Sequence, residues 1–227
     1  MQVIIVGGVA GGASCAARLR RLDEKAEILM VERGPYVSYA NCGLPYHIGG
    51  VIEKESSLLV STEQTFRTAF NIDCRTNCEV IGVSPKKKTV ELKNHATGQV
   101  TIEKYDKLVL SPGAAPIRPP LPGIDLPGIF SVRTVPDARE IREWIERGSS
   151  DSTGEHKSSG FQPLDETKRA VVVGGGFIGL ETAENLVHLG FNVTLIQKPD
   201  HVLSPLDPEI ACLVQGHITS DGMACRW

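Results

Sequence analysis

The chain contains no C-x-x-C pair, an absence that bears on all six of its cysteines, at positions 15, 42, 74, 78, 212 and 225. That spacing gives no reason to expect a secreted-type disulfide framework or a zinc site. Cys74 and Cys78 stand closest, as C-x3-C, but no second ligand pair accompanies them and no metal is assigned. A net positive charge is also lacking. With a net charge of -3 over 227 residues there is no field to attract a nucleic-acid backbone, and Lys86-Lys87-Lys88 reads as a solvated turn after Ser84-Pro85. No apolar run approaches the length of a membrane span, and the strand entered at Val3 is not preceded by a basic segment and apolar stretch of signal type. The expectation is a cytoplasmic protein that partners neither nucleic acid nor membrane. Hydrophobic residues at 41% and charged residues at 22% then match a globular chain of one large or two small domains.

One stretch organises the rest: Ser38-Tyr39-Ala40-Asn41-Cys42-Gly43-Leu44-Pro45-Tyr46-His47-Ile48-Gly49-Gly50. It places a single thiol among small residues. Ala40, Gly43 and Gly49 leave room for large planar ligands, Asn41 supplies both a donor and an acceptor, and Leu44-Pro45 restrains the chain. Cys42 is read as the working atom, against the plainer alternative of a small buried hydrophobe. Because no cysteine stands near it in sequence, its redox partner is expected to be a substrate sulfur, or its product a sulfenic acid, and not a local dithiol.

The N-terminus reads as a βαβ unit. Gln2 to Val6 is an apolar strand running into glycines, a helix pattern spans 13–22, and a strand spans 27–32. Such a turn presents backbone N–H groups and a helix N-terminus to a pyrophosphate, and an acid about 20 residues later takes the ribose hydroxyls. Glu32 holds that place. The glycine pattern is imperfect, since Gly7 and Gly12 fit the outer positions but Val9 occupies the middle one.

Beyond the cysteine stretch, 63–70 reads as a helix and 77–83 as a strand. A hairpin follows over 89–92 and 100–103, then a buried strand from Tyr105 to a tight turn at Gly113. Pro116, Pro119, Pro120 and Pro122 form a stiff connector at a domain crossing. A helix over 135–147 carries Ile141, Trp144 and Ile145 toward a core. The polar, serine-rich segment 148–165 is expected to be a surface insertion without chemistry.

A second nucleotide unit opens at Ala170, with a full G-x-G-x-x-G at Gly174, Gly176 and Gly179 and a strand over 191–196. Its end carries Gln197-Lys198 where an acid selects NAD, which leaves NADH or NADPH open with a lean toward tolerating a 2′-phosphate. Residues 215–227 do not read as the next strand. The fold class expected is therefore α/β, with two Rossmann-like three-layer nucleotide-binding domains at 1–113 and 114–227, the second incomplete.

Four blocks together, Gly7 to Gly12, Ser38 to Tyr46, Tyr105 to Gly113 and Gly174 to Glu181, resemble the coenzyme A-disulfide reductases. These form a single-cysteine branch of the FAD-dependent pyridine nucleotide-disulfide oxidoreductases. The resemblance implies FAD on the first unit, NADH or NADPH on the second, and a mixed disulfide between Cys42 and coenzyme A that is reduced in turnover, with CoA-disulfide or CoA-persulfide as substrate. It places Gly7, Gly8, Val9, Ala10, Gly11, Gly12, Glu32, Arg33, Val80, Ser111 and Gly113 against the flavin nucleotide. Gly174, Gly176, Ile178, Gly179 and Gln197 fall against the nicotinamide nucleotide, and Ser14, Arg18, Arg21, Ser38 and Asn41 against coenzyme A. The plainer reading of Arg18 and Arg21 is a solvated helix face. NADH oxidases and peroxidases of the branch, which use a sulfenic acid, carry a histidine in the first glycine loop where this chain has Ala10. That departure favours disulfide or persulfide reduction. Tyr46 and His47 are read as packing residues in preference to acids. The family's Gly-Asp return segment and homodimer interface domain are not found before Trp227, so a non-catalytic nucleotide-binding chain is the remaining expectation.

Overall fold

The computed structural model describes residues 1–149, 165–220 and 222–226, and the chain divides into two compact units. The first comprises Met1–Ala40 with Leu59–Ala115, the second Asn41–Leu58 with Pro116–Trp227. Most of the serine-rich segment lies outside the described residues. No helix among them is long and apolar enough to cross a membrane.

In the first unit, β1 (Gln2–Val6), α1 (Ala10–Leu22), β2 (Glu27–Val31), β3 (Asp73–Arg75) and β7 (Lys107–Leu110) build a parallel sheet of order β3-β2-β1-β7. Val3, Ile4 and Ile5 are all buried, as expected for a central parallel strand covered on both faces. One face packs Val3, Ile5, Ile28 and Met30 with Ala13 and Ala16 of α1 and with Phe66 of α3 (Glu63–Phe70). The alanines keep α1 close to the sheet. The other face packs Ile4, Leu29 and Val31 with Cys78, Val90 and Leu92 of an antiparallel sheet, β4 (Cys78–Ser84), β5 (Thr89–Asn94) and β6 (Val100–Lys104).

α3 begins and ends on local chemistry. Thr62 accepts the Thr65 N–H at 3.1 Å as N-cap, and Asn71 takes the left-handed conformation (φ +48°) after the last turn. The Lys86 to Lys88 triplet is exposed in the β4–β5 turn. Two expectations change in this unit. α1 starts at Ala10, three residues before the sequence pattern, because Gly11 and Gly12 sit in its first turn. β7 is an edge strand and not a buried one. Among the described residues it pairs with β1 alone, and its Leu110 is 62% exposed.

The second unit holds α2 (Leu44–Ile48), α4 (Val135–Ser149), β8 (Asp165–Val173), α5 (Phe177–His188), β9 (Phe191–Ile196), α6 (Pro208–Ser220) and β10 (Ala224–Arg226). Its parallel sheet has the order β10-β9-β8. Val193 and Leu195 of β9 pack with Ala183, Leu186 and Val187 of α5 and with Val202, Ile218 and Met223. Against expectation, the C-terminal stretch does form a helix and a strand. Gly222 turns the chain at φ +88°, and Ala224, Cys225 and Arg226 pair with Thr194, Leu195 and Ile196. The strand signal is only three residues long, too short for alternation to reveal it. In α4, Ile141 is buried and Ile145 packs on the core, whereas Trp144 is 46% exposed and stacks edge-on against Phe130 at 5.7 Å.

Candidate dinucleotide cradles and the Cys42 helix

The first cradle is made by the β1–α1 turn. Gly7 has φ +93° and its amide bonds the Val31 carbonyl at 2.8 Å, so the chain leaves β1 by a route open to glycine. A Cβ on Gly12 would lie 1.7 Å from the Gly7 carbonyl oxygen, which is why this position takes no side chain. Glu32 then closes the turn. One carboxylate oxygen accepts the Gly8 N–H at 2.8 Å and the other the Gly34 N–H at 2.8 Å. Ser38 donates its N–H to the Gly8 carbonyl at 2.9 Å and sits at φ +46°.

Gly7, Gly8, Gly11, Gly12, Glu32, Ser38 and Ser111 are thus brought together; the Ser111 hydroxyl would lie 3.3 Å from a Cβ on Gly11. Val9 is the N-cap of α1 and Ala10 its exposed first residue. Gly113 has φ +69° just after β7. Arg33 is exposed, with Glu79 at 3.9 Å. Val80 is half-buried and packs against the core between the two sheets. On α1, Ser14, Arg18 and Arg21 share one exposed stripe at helical spacing. Arg20 between them is structural. It donates to the carbonyls of Phe70, Asn71 and Glu24 at 2.7 to 2.9 Å.

The second unit repeats these contacts. Gly174 has φ +111° and donates to the Ile196 carbonyl at 2.8 Å, and a Cβ on Gly179 would lie 1.9 Å from the Gly174 oxygen. Gln197 Oε1 accepts the Gly175 N–H at 2.7 Å, and Leu203, at φ +52°, donates to the Gly175 carbonyl at 2.8 Å. Gly176 is the N-cap of α5 and Ile178 is exposed in its first turn. Gly175 and Ser204 join this cradle through Gln197, and of the two only Gly175 has a sequence signal, the triple glycine.

Asn41 and Cys42 lie in a single 3-10 turn, Asn41–Gly43, that runs into α2. Cys42 is exposed and α2 beneath it is tightly held within the second unit. Arg139 of α4 clasps Glu55 with two bonds, at 2.7 and 2.6 Å, and Arg142 donates to the Glu53 carbonyl at 2.8 Å. His47 is buried, with Nδ1 at 2.7 Å from the Ile52 carbonyl. Arg142 Nη1 stands 3.3 Å from the same nitrogen and donates to the His47 carbonyl at 3.4 Å. Gly49 allows α5 to approach, because a Cβ there would meet the buried Asn185 Oδ1 at 2.1 Å. Elsewhere, burial, reinforced by Glu63, pushes the Cys74 thiol up to about 12, and burial also raises Cys78 and Cys225.

Two parallel-sheet units, each with a glycine turn closed by the side chain ending its second strand, define a Rossmann-type dinucleotide oxidoreductase fold. The whole chain, residues 1–227, matches the family model described as pyridine nucleotide-disulphide oxidoreductase, and it belongs to that family. It is similar to a coenzyme A disulfide reductase of Staphylococcus haemolyticus, 36% identical over 209 residues that make up 92% of this chain and 43% of that protein. Among solved structures it resembles reduced Bacillus anthracis CoADR-RHD, with TM-score 0.88 and 44% identity over 99% of this chain and 37% of the other. An NAD-dependent persulfide reductase from A. fulgidus superposes with TM-score 0.87 at 35% identity, over 100% of this chain and 39% of its own. The chain thus spans less than half the length of these relatives. Both cradles fit a dinucleotide, since Gly12 and Gly179, where a methyl group would meet the Gly7 and Gly174 carbonyls, let each helix start close against its turn, so that its N-terminal N–H groups face a pyrophosphate position.

Proposed function

We propose that this chain carries the FAD-binding, nicotinamide-binding and redox-cysteine segments of a reductase acting on CoA-disulfide or CoA-persulfide. The observation that carries the reading is Cys42. It is an exposed thiol within Asn41-Cys42-Gly43-Leu44-Pro45, in the turn that leads into a helix held by α4 and α5, in a chain that also holds two dinucleotide cradles. FAD would rest on the Gly7 to Gly12 turn with Glu32 at its ribose, and NADPH or NADH on the Gly174 to Gly179 turn. When bound, the two cofactors supply the two electrons of the reaction.

The residues of the chain do the sulfur chemistry. A mixed disulfide between Cys42 and coenzyme A takes up two electrons and one proton, giving the Cys42 thiolate and free coenzyme A thiol. The thiolate then attacks one sulfur of a CoA-disulfide, expelling the other half as thiolate and re-forming the mixed disulfide. With a CoA-persulfide, attack at the sulfur bonded to CoA expels hydrosulfide instead. Asn41 offers an amide beside the reacting sulfur, and Ser14, Arg18, Arg21 and Ser38 are the proposed coenzyme A contacts, the arginines suited to its phosphates. Ala10, which offers no acid, favours sulfur over peroxide chemistry. Reduced thiols of this kind fit a cytosolic location.

The test is the visible spectrum of the purified 227-residue chain with FAD, followed by anaerobic titration with NADPH and NADH and assay of thiol release from CoA-disulfide. The chain should be yellow and bleach on titration. Cys42→Ser should keep the flavin and lose all thiol release. Undiminished release in that variant, or a chain that takes up no FAD, would sink the reading.

A further inference from the structure

The two cradles superimpose in pattern so closely that one difference between them stands out. Glu32 N–H donates to the Arg75 carbonyl at 2.9 Å and Gln197 N–H to the Arg226 carbonyl at 3.0 Å, so the two residues end equivalent central strands. Each side chain then accepts the amide of the middle glycine, Gly8 at 2.8 Å and Gly175 at 2.7 Å. The matching continues along the chain. Val37 packs on Gly8 as Val202 packs on Gly175, and the Ser38 and Leu203 N–H groups donate to the corresponding carbonyls, those of Gly8 and Gly175.

The charge does not match. In the first cradle both carboxylate oxygens are satisfied, the second by Gly34 N–H, two residues on. In the second cradle the residue two positions after Gln197 is Pro199, which has no N–H to give. A carboxylate there would lose that donor. Gln197 is suited to the loss: its oxygen faces Gly175, which fixes the amide orientation because only the oxygen accepts, and its Nε2 turns the other way, to Ser204 Oγ at 3.2 Å. The end of β9 thus presents an amide donor and no negative charge, with Lys198 exposed as the next residue. Asp200 is nearby but its side chain is 95% exposed and lies 3.9 Å from His201, so water screens it.

We infer that Gln197, with Pro199 and Lys198, makes the second cradle selective for a 2′-phosphorylated adenosine, the NADPH-type ribose. A carboxylate in that place would accept the two ribose hydroxyls and repel a phosphate; an amide with a neighbouring ammonium removes the repulsion and adds a counter-charge. The inference rests on the proposal that the Gly174 to Gly179 turn holds a nicotinamide nucleotide.

The experiment is calorimetric binding of adenosine 2′,5′-bisphosphate and adenosine 5′-monophosphate to the FAD-saturated chain, probes that differ only in the 2′-phosphate. The wild-type chain should prefer the bisphosphate, by about tenfold at low salt and less as salt rises. Gln197→Glu with Pro199→Gly, which copies the first cradle into the second, should reverse the preference, and Lys198→Ala should weaken only the bisphosphate. Gly179→Ala, whose methyl group would fill the turn, should abolish binding of both and so assigns the signal to this cradle. Equal affinities in wild type and double variant would overturn the inference and leave the nucleotide site standing. Binding that Gly179→Ala does not remove, or no binding at all, would overturn the site and the inference together.

Discussion

Cys74 and Cys42 are chemically the same residue placed in opposite environments. Cys74 is buried in the core between α1, α3 and the sheet, and that burial pushes its thiol up from the ordinary 9.0 to about 12. We expect Ellman's reagent at pH 8 to modify Cys42 and Cys212, both exposed, within the mixing time while Cys74 stays protected until the protein unfolds. Prompt modification of Cys74, read by peptide mapping, would contradict this placement. The same shift has a stability consequence. Its contribution is complete below pH 9.0, where both folded and unfolded thiols are protonated, and is lost as pH rises toward 12, because the unfolded chain ionises first. Denaturant midpoints measured between pH 8 and 11 should therefore fall, and Cys74→Ala should flatten that fall. At the glycines the argument is steric. Gly12→Ala puts a methyl group 1.7 Å from the Gly7 oxygen, and the backbone shift it forces should cost about 1–3 kcal/mol and abolish the flavin spectrum at micromolar FAD. Retained yellow colour would show that the turn adapts.

At the scale of elements, α2 is a five-residue helix, too short to be stable alone, that owes its position to its neighbours. Gly49→Ala would drive a methyl group to 2.1 Å from Asn185 Oδ1 and part α2 from α5. We expect a loss of about 1–3 kcal/mol in urea unfolding, larger than the 0–1 kcal/mol or so expected when Arg139→Ala removes the partly exposed clasp on Glu55. Equal or opposite effects would mean that α2 is held by charge and not by close packing. Much of this level was legible beforehand. The helix at 63–70, the hairpin strands starting at Thr89 and Val100, and the strand at 191–196 stand where the periodicity put them; α3, β5 and β9 bury a helical or alternating apolar face, whereas β6 keeps the alternation with Val100 and Ile102 exposed. The exceptions have causes. β10 is too short to announce itself, and β7 reads as buried although it lies at an edge, since an apolar run records propensity and not the number of neighbours.

For the whole molecule the sheet edges matter most. β8 ends its sheet among the described residues, and Val171 and Val173 on it are 61% and 81% exposed. An apolar, unpaired edge of this kind recruits other chains. The 227-residue chain should self-associate as its concentration rises, visible in light scattering after size exclusion, and Val173→Lys should reduce that association. A monodisperse monomer at all concentrations would show the edge to be protected.

Residue types in order along the chain determined that two βαβ units exist, that each opens on a glycine turn and that one cysteine is set apart from any partner. These follow from local patterns: strand alternation, helical spacing and positions that only glycine can take. Tertiary structure decided the rest. It grouped Asn41–Leu58 with the helices of the second unit, packed half-buried Val80 against the core between two sheets, and set Gln197 on the middle glycine of its turn as Glu32 is set on Gly8. Each of these depends on which distant atoms meet, through packing at Gly49 or a hydrogen bond across 22 residues, and no local pattern encodes such a meeting.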